Sequence, residues 1–186
     1  VLKAAMMALE EEIAIPVLLG RKSRIVAAAE KLELNLNRCE IIEPREHVHF
    51  DSYVSQFHLD QHRRGVTHID AERSLAQENI FANMMLAQGD VDGVICGADR
   101  SFPEMMRPLI RMLGFQDGKN TAAALYLLSV DNRLFFLADT AVNIEMTSEK
   151  LAAVALMSAE FAKSMSIEPK VALLSFSNFG SVTHPS

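Results

Sequence analysis

The sequence predicts an α/β protein, and three observations support this fold class. In the first part of the chain, helical spacing of apolar residues alternates with short apolar runs, an order typical of parallel crossover units. Those runs end at glycine or proline, as buried strands of a parallel sheet often do. A turn-rich stretch at 114–119 then separates this part from a second unit. We therefore expect a first α/β domain over 1–114 and a partial second α/β domain over 115–186.

The individual elements can be predicted in chain order. In the first part, the spacing predicts helices over 1–13, 21–32, 52–62, 68–88 and 103–113, and strands over 16–20, 39–42 and 94–96. The short turn at Asp131, Asn132 and Arg133 lies between two apolar runs, 122–130 and 134–138, and predicts an antiparallel hairpin. A helix that is capped by Thr147 or Ser148 and a strand over 170–176 complete the second unit.

Composition and charge exclude several classes of protein. Lysine and arginine number 18 against 24 aspartates and glutamates, a net charge of −6 that argues against nucleic acid as the main partner. No apolar run approaches the length that spans a bilayer, so we expect no membrane partner and a cytoplasmic location. Cys39 and Cys96 lie in apolar runs rather than in paired motifs, so we expect reduced core cysteines. The methionines are expected to fill the core.

The stretch 91–108, VDGVICGADRSFPEMMRP, has the features of an anion-binding site. Its apolar run ends in a glycine turn, and ligands of parallel sheets lie beyond the carboxyl ends of the strands. Ser101 and Glu104 form the S-x-x-E capping-box pattern, so a helix should begin near Pro103. The amino end of a helix attracts anions, and Arg107, roughly one turn further, would add a full positive charge. Ser101 and Arg107 are therefore candidate binding residues.

Two further loops follow predicted strands. Small polar residues at 139–143 occupy a position where α/β folds place ligand contacts, and Asp139 and Asn143 are the candidates there. Equally, Asn143 could form a turn and Asp139 a cap. The loop 175–181 has the hydroxyls, amide and glycine of a phosphate or carboxylate loop, with a polar surface loop as an equal alternative. Its candidate ligand residues are Ser177, Asn178, Gly180 and Ser181.

Two pairs of histidines have spacings that permit a metal ion. His47 and His49 would share one face of an extended segment, and His58 and His62 are an i, i+4 pair on a predicted helix. Neither pair has a third ligand nearby in the sequence. Solvated histidines are therefore the favoured interpretation, and no metal site is predicted.

Three stretches in this order resemble the phosphate acetyltransferase and butyryltransferase family, the phosphotransacetylases: VDGVICGADRSFPEMMRP, FFLADTAVN and IEPKVALLSFSNFGS. The similarity covers nearly the whole chain. It implies a three-layer α/β/α protein with two domains, of the isocitrate and isopropylmalate dehydrogenase-like kind, that binds coenzyme A and acyl phosphate in the cleft between them. On this resemblance Ser101 and Arg107 match positions that contact the acyl phosphate, and the loop from Ser177 to Ser181 lines the same cleft.

The chain also departs from that family. The transferases carry an arginine in a pattern like LRKHKG, whereas residues 60–65 read DQHRRG, with the arginines displaced. The family's first strand, its Ser-Arg pair and its general-base aspartate are absent, so we expect a fold truncated at both ends. The displaced arginines, the threonine of LADTAVN and the Asn-Phe of SNFGS instead resemble the transferase-like C-terminal domain of bacterial NADP-dependent malic enzymes.

The resemblance leaves three functions open. The favoured hypothesis is a regulatory domain of a malic enzyme, which oxidatively decarboxylates malate to pyruvate; this domain would bind acetyl-CoA or CoA and hold no cofactor. NADP and a divalent metal would belong only to an upstream malic enzyme domain. The alternatives are an active phosphate acetyltransferase and another acyl- or phospho-ligand enzyme of the same fold. We expect a homo-oligomer, at least a dimer, with acetyl-CoA or acetyl phosphate as ligand and no residue in a catalytic role.

Overall fold

The structure is a computed structural model that describes residues 1–98, 100–115 and 121–174. It divides into two compact units, Val1–Gly114 and Phe115–Ser186.

A short parallel sheet lies in the first unit. Strand β1 (Val17–Leu19) pairs in parallel with β2 (Glu40–Ile42), and helix α2 (Lys22–Lys31) forms the crossover between them. Leu18 and Ile42 are buried, and the amide of Gly20 continues the ladder by donating to the carbonyl of Ile42 at 3.0 Å. The predicted parallel crossover is confirmed, and both strands end at the same edge of the sheet.

The other regular elements that the structure describes in the first unit are helical: α1 (Leu2–Glu10), α3 (Phe50–Gln61), α4 (His68–Leu75), α5 (Glu78–Gln88) and α6 (Phe102–Leu113), with 3-10 turns at Pro44–Glu46 and His62–Arg64. Their core contains Ile42, Phe50, Tyr53, Val54, Ala71, Leu75, Phe81, Met84 and Met85. The expectation of methionine as core filler is confirmed for this last pair, whereas Met7 is exposed.

The single helix predicted over 68–88 is wrong, because the chain breaks between α4 and α5. Gln77 adopts an extended conformation and α5 restarts after it. Leu75 and Phe81 are both 0% exposed, yet six residues along one straight helix would place them about 120° apart around its axis. The break allows both side chains to enter the same core.

The strand predicted over 94–96 is also wrong. The chain from Val91 to Ala98 has no regular secondary structure, Ile95 is fully exposed and Cys96 is exposed rather than a core residue. A strand needs both a ladder partner and cover for its faces, and no strand in the described part of the chain includes these residues. The surrounding protein nonetheless removes enough water to raise the pKa of the Cys96 thiol, which makes it a poor nucleophile.

The second unit contains the predicted antiparallel hairpin. Strand β3 (Leu125–Val130) pairs with β4 (Arg133–Ala138), and the register runs from Leu125 opposite Ala138 to Val130 opposite Arg133. Asp131 and Asn132 have φ angles of 47° and 59°, as a two-residue type I′ turn requires. The hairpin prediction is confirmed.

Helix α7 (Ser148–Ser164) follows the hairpin, and Thr147 caps it by accepting a hydrogen bond from the amide of Lys150. Phe161 of α7 meets Phe136 of β4 edge to face, with ring centroids 6.2 Å apart. The strand predicted over 170–176 is wrong for 170–174, which carry no regular structure, and Val171, Leu173 and Leu174 are exposed. Residues 175 and 176 lie outside the described part. No helix among the described residues is long and apolar enough to cross a bilayer.

Candidate functional site

The amino end of α6 forms the capping box that the sequence predicts. The carboxylate of Glu104 accepts hydrogen bonds from the Ser101 backbone N–H at 2.9 Å and from the Ser101 hydroxyl at 2.8 Å. These bonds, the backbone one first, hold the pKa of Glu104 below its usual value. The hydroxyl proposed as a ligand contact is therefore already engaged within the helix cap.

Arg107 lies on the outer side of the same helix. Met105 of α6 is buried, whereas Arg107 is exposed and pairs with no carboxylate in the described ranges. The structure thus places a free guanidinium on the solvent side of α6, close along the chain to the cap that sequence analysis selected.

A buried glutamine that sequence analysis did not select fixes the far end of α6. Gln61, 5% exposed, donates from Nε2 to the carbonyl of Arg111 at 3.0 Å and accepts from Nη1 of Arg64 at 3.1 Å. Arg64 therefore stabilises Gln61, which is in turn hydrogen-bonded to the backbone of α6. The only signal in the sequence was a polar residue at the end of a predicted helix, which does not reveal a partner fifty residues away.

Asp139 is a hub of hydrogen bonds at the open end of the hairpin. Its Oδ1 accepts from the backbone N–H of Ala124 at 2.8 Å, and from those of Ala141 and Val142 at 3.3 Å each. Its Oδ2 accepts from the Asn143 backbone at 2.6 Å and from the Asn143 side-chain amide at 2.5 Å. Both oxygens face the protein's own donors.

Asn143 extends this network to the segment before β3. Its Nδ2 donates to the carbonyl of Ala122 at 2.8 Å, and its Oδ1 accepts from the hydroxyl of Thr121 at 2.9 Å. Asp139 and Asn143 thereby tie the start of β3 to the end of β4. We call Thr121, Ala122, Ala124, Asp139 and Asn143 the hairpin clamp. Thr121 and the two alanines were missed by sequence analysis, because their partners lie 15 to 22 residues away.

Two opposing effects act on the Asp139 carboxyl. Partial burial by itself raises the pKa of this group, but the hydrogen bonds from Ala124, Asn143 and Ala141 together outweigh it, and the net pKa is lowered. A carboxylate that is held ionised and surrounded by donors is a weak general base at neutral pH. Of the two alternatives for these residues, the structure supports the turn and cap interpretation.

The predicted residues that the structure describes lie in two groups. In the first unit Ser101 caps α6 and Arg107 lies within that helix, whereas in the second Asp139 and Asn143 contact each other. The remaining candidates lie outside the described residues: Ser177, Asn178, Gly180 and Ser181.

The histidines in the described part of the chain make ring contacts with one another. His47 and His49 lie 5.4 Å apart, and His58 lies 6.2 Å from His62 and 5.8 Å from His68, measured between ring centroids. Within 1–98, 100–115 and 121–174, no group of three or more histidine, cysteine, aspartate or glutamate side chains is arranged to hold a metal ion.

Solved structures resemble this fold. A phosphotransacetylase from Streptococcus pyogenes superposes with a TM-score of 0.86 at 32% identity, over 98% of this chain and 56% of that one.

Curated relatives fall into two groups. A phosphate acetyltransferase from Thermoanaerobacterium thermosaccharolyticum is 35% identical over 98% of this chain and 57% of its own length. An NADP-dependent malic enzyme from Escherichia coli is 36% identical over 94% of this chain and 24% of its own length. The chain thus spans about half of the transferase and about a quarter of the malic enzyme.

The family comparison agrees with both groups. The profile of the family described as "Phosphate acetyl/butaryl transferase" matches residues 1–186, the whole of the sequence. Together with the α/β fold and the identities above, this match confirms the suspected family. The chain belongs to the phosphate acetyl/butyryl transferase family and is a phosphotransacetylase-like domain.

Proposed function

We propose that this chain is the phosphotransacetylase-like domain of an NADP-dependent malic enzyme, and that it binds acetyl-CoA to regulate malate decarboxylation. The 36% identity to the E. coli malic enzyme supports this proposal. NADP and a divalent metal then belong to another domain of the whole protein, and acetyl-CoA or CoA is the ligand of this one. A homo-oligomer, at least a dimer, and a three-layer dehydrogenase-like arrangement of the complete fold are parts of the same proposal.

The state of Arg64 is the observation that carries the regulatory interpretation. The active transferases carry an arginine in a pattern like LRKHKG, whereas the arginines of this chain are displaced within DQHRRG. Here Arg64 donates to Gln61, which in turn holds the carbonyl of Arg111. This guanidinium group therefore stabilises the hydrogen bond that Gln61 makes to α6, which favours a structural role for the displaced arginine.

The remaining polar groups favour binding over acid–base chemistry. The Ser101 hydroxyl is hydrogen-bonded to Glu104, and among the described residues the Asp139 carboxylate accepts from the hairpin clamp and its own loop. Arg107 is an exposed cation of α6, and a guanidinium binds phosphate oxygens in a bidentate manner. We therefore assign Arg107 to the phosphate groups of the ligand, without a catalytic role.

An active phosphate acetyltransferase is the second candidate, and the 35% identity to the Thermoanaerobacterium enzyme favours it. In that reaction the CoA thiolate attacks the acetyl carbonyl of acetyl phosphate, a carbon–sulfur bond forms, the carbon–oxygen bond breaks and phosphate leaves. Positioning and cations on the phosphate would provide the catalysis. A further acyl- or phospho-ligand enzyme of the same fold stays open as a third candidate, because a fold does not determine function.

One pair of measurements on the full-length protein separates these functions: acetyl-CoA formation from acetyl phosphate and CoA, and acetyl-CoA binding by calorimetry. Binding without turnover is the expected result. Turnover at the rates typical of enzymes, roughly 1 per second or more, contradicts the regulatory function. The absence of both contradicts the first two candidates and leaves the third.

Arg107→Ala tests the assigned binding residue. Loss of a charge-assisted contact should weaken acetyl-CoA binding by about tenfold or more. Arg111→Ala is the matched control, because this arginine is also exposed on α6 and its hydrogen bond uses only the backbone carbonyl. Equal affinity of the two variants would show that the anion site lies elsewhere.

A further inference from the structure

A cavity lies where the two parallel strands end. Gly20 and Arg21 follow β1, and Glu43, Pro44 and Arg45 follow β2, so they meet at one edge of the sheet. With Ala76 and Glu78 they line a cavity of about 240 Å³, which we call the strand-end cavity. The carboxyl ends of parallel strands are where α/β folds place their ligands. None of these lining residues belongs to the hairpin clamp or to the capping box of Ser101 and Glu104, which we call the α6 cap.

Two arginines, one from each strand end, give the cavity its chemistry. Arg21 is exposed and has no carboxylate partner among the residues described. Arg45 is oriented by two neighbours: its Cζ lies 5.8 Å from the centroid of the buried Phe50 ring, and its Nη1 lies 2.8 Å from Glu72. That ion pair is solvent-exposed, so it contributes little and can rearrange around a ligand.

The two acidic lining residues, Glu43 and Glu78, differ in their interactions. Glu43 is engaged at 2.6 Å with the backbone N–H of Lys22, so it already fills the amino end of α2. That helix end is therefore no part of the ligand site. Glu78 lines the cavity with no ion-pair partner in the described segments, and its carboxylate can only accept hydrogen bonds when ionised.

We propose that the strand-end cavity binds a small metabolite that carries a carboxylate or phosphate at one end and a hydroxyl or ammonium donor at the other. The anionic group meets Arg21 and Arg45, whose planar guanidinium groups match the geometry of such anions. The donor group meets Glu78. The volume, about 240 Å³, is below the roughly 300–1,000 Å³ of drug-sized pockets, so hydroxy acids, amino acids and small phosphate esters fit the site better than a nucleotide.

Calorimetric titration of the full chain with four probes tests this assignment: L-serine, D-glycerate, 3-phosphoglycerate, and acetate as an anion without a donor. At least one of the first three should bind with a Kd of about 1 mM or tighter, and acetate should bind more weakly. The preferred probe identifies the ligand class as amino acid, hydroxy acid or phosphate ester. Failure of all three at about 10 mM would overturn the proposal.

Substitutions locate the binding. Arg21→Ala and Arg45→Gln should each weaken the affinity for the best probe by about tenfold or more. Glu78→Gln should reduce the difference in affinity between that probe and acetate. Arg24→Ala is the control, because this arginine is exposed on α2, close to Arg21 in the chain, but does not line the cavity. Equal affinity of the Arg21, Arg45 and Arg24 variants would overturn the proposal. None of these outcomes depends on the acetyl-CoA site or on Arg107.

Discussion

The α6 cap and the hairpin clamp look alike in sequence and differ in structure. Each has small polar residues before a helix, and each contains candidate ligand residues, with a turn and cap as the equal alternative for Asp139 and Asn143. At α6, Ser101 and Glu104 satisfy each other within one turn, and Arg107 is exposed with no carboxylate partner among the described residues. At the clamp, Asp139 and Asn143 turn inward and satisfy backbone groups from two segments. The comparison teaches that binding depends on where the donors and acceptors are directed, not on residue type alone.

Removing the Asp139 carboxylate should give the largest change in stability among the tests of this contrast. Asp139→Ala leaves several partly buried N–H groups without an acceptor, so the free energy of unfolding of the second unit should fall by about 2 to 4 kcal/mol. Urea unfolding measures this change. Glu168→Gln, an exposed carboxylate of the same unit, is the control and should change little. If Asp139→Ala lost acetyl-CoA affinity at unchanged stability, the clamp would be a ligand site after all.

Ser101 provides a smaller test at the other region. Ser101→Ala removes a helix cap and should lower stability by about 1 kcal/mol, while acetyl-CoA binding stays close to that of the unaltered protein. Ser101→Asp, which retains a capping acceptor, should recover most of the stability loss. A decrease in affinity of the size expected for Arg107→Ala, with no loss of stability, would restore Ser101 as a ligand contact.

The pH dependence of stability should show the smallest effect. The folded pKa of Asp139 lies below its ordinary value of 3.8, so the unfolded chain binds the proton more tightly than the folded one. The stabilisation is complete above the unfolded pKa and is lost as the pH falls through the folded value, beginning below about pH 5. Between pH 7 and pH 3, the free energy of unfolding should therefore decline less steeply for Asp139→Asn than for the unaltered chain. Identical slopes would contradict the role of this carboxylate.

Much of the local structure followed from the sequence because its causes lie within a few residues. The S-x-x-E pattern located the start of α6, the Asp131-Asn132 turn located the hairpin, and Gly89 in a left-handed conformation ended α5 as expected. The parallel pairing of β1 and β2 followed from the order of helices and strands. At the helix start, the hairpin turn and the helix end, the turn or cap residues satisfy neighbouring backbone groups.

Other features could not be predicted, because their causes lie far apart in the chain. Whether 94–96 forms a strand depends on a ladder partner, and apolar composition alone does not supply one. The break between α4 and α5 follows from burying Leu75 and Phe81 in one core. Neither requirement is visible in a local pattern.

The sequence by itself determined the family, the order of most elements and the positions of Ser101 and Arg107 at the start of α6. Only the tertiary structure decided that Asp139 and Asn143 hold the hairpin together, that Arg64 supports Gln61, and that Arg21 and Arg45 share one cavity. The physical reason is that caps and turns are satisfied by neighbours in the chain, whereas the direction of a long polar side chain is determined by donors, acceptors and rings that folding brings from distant segments.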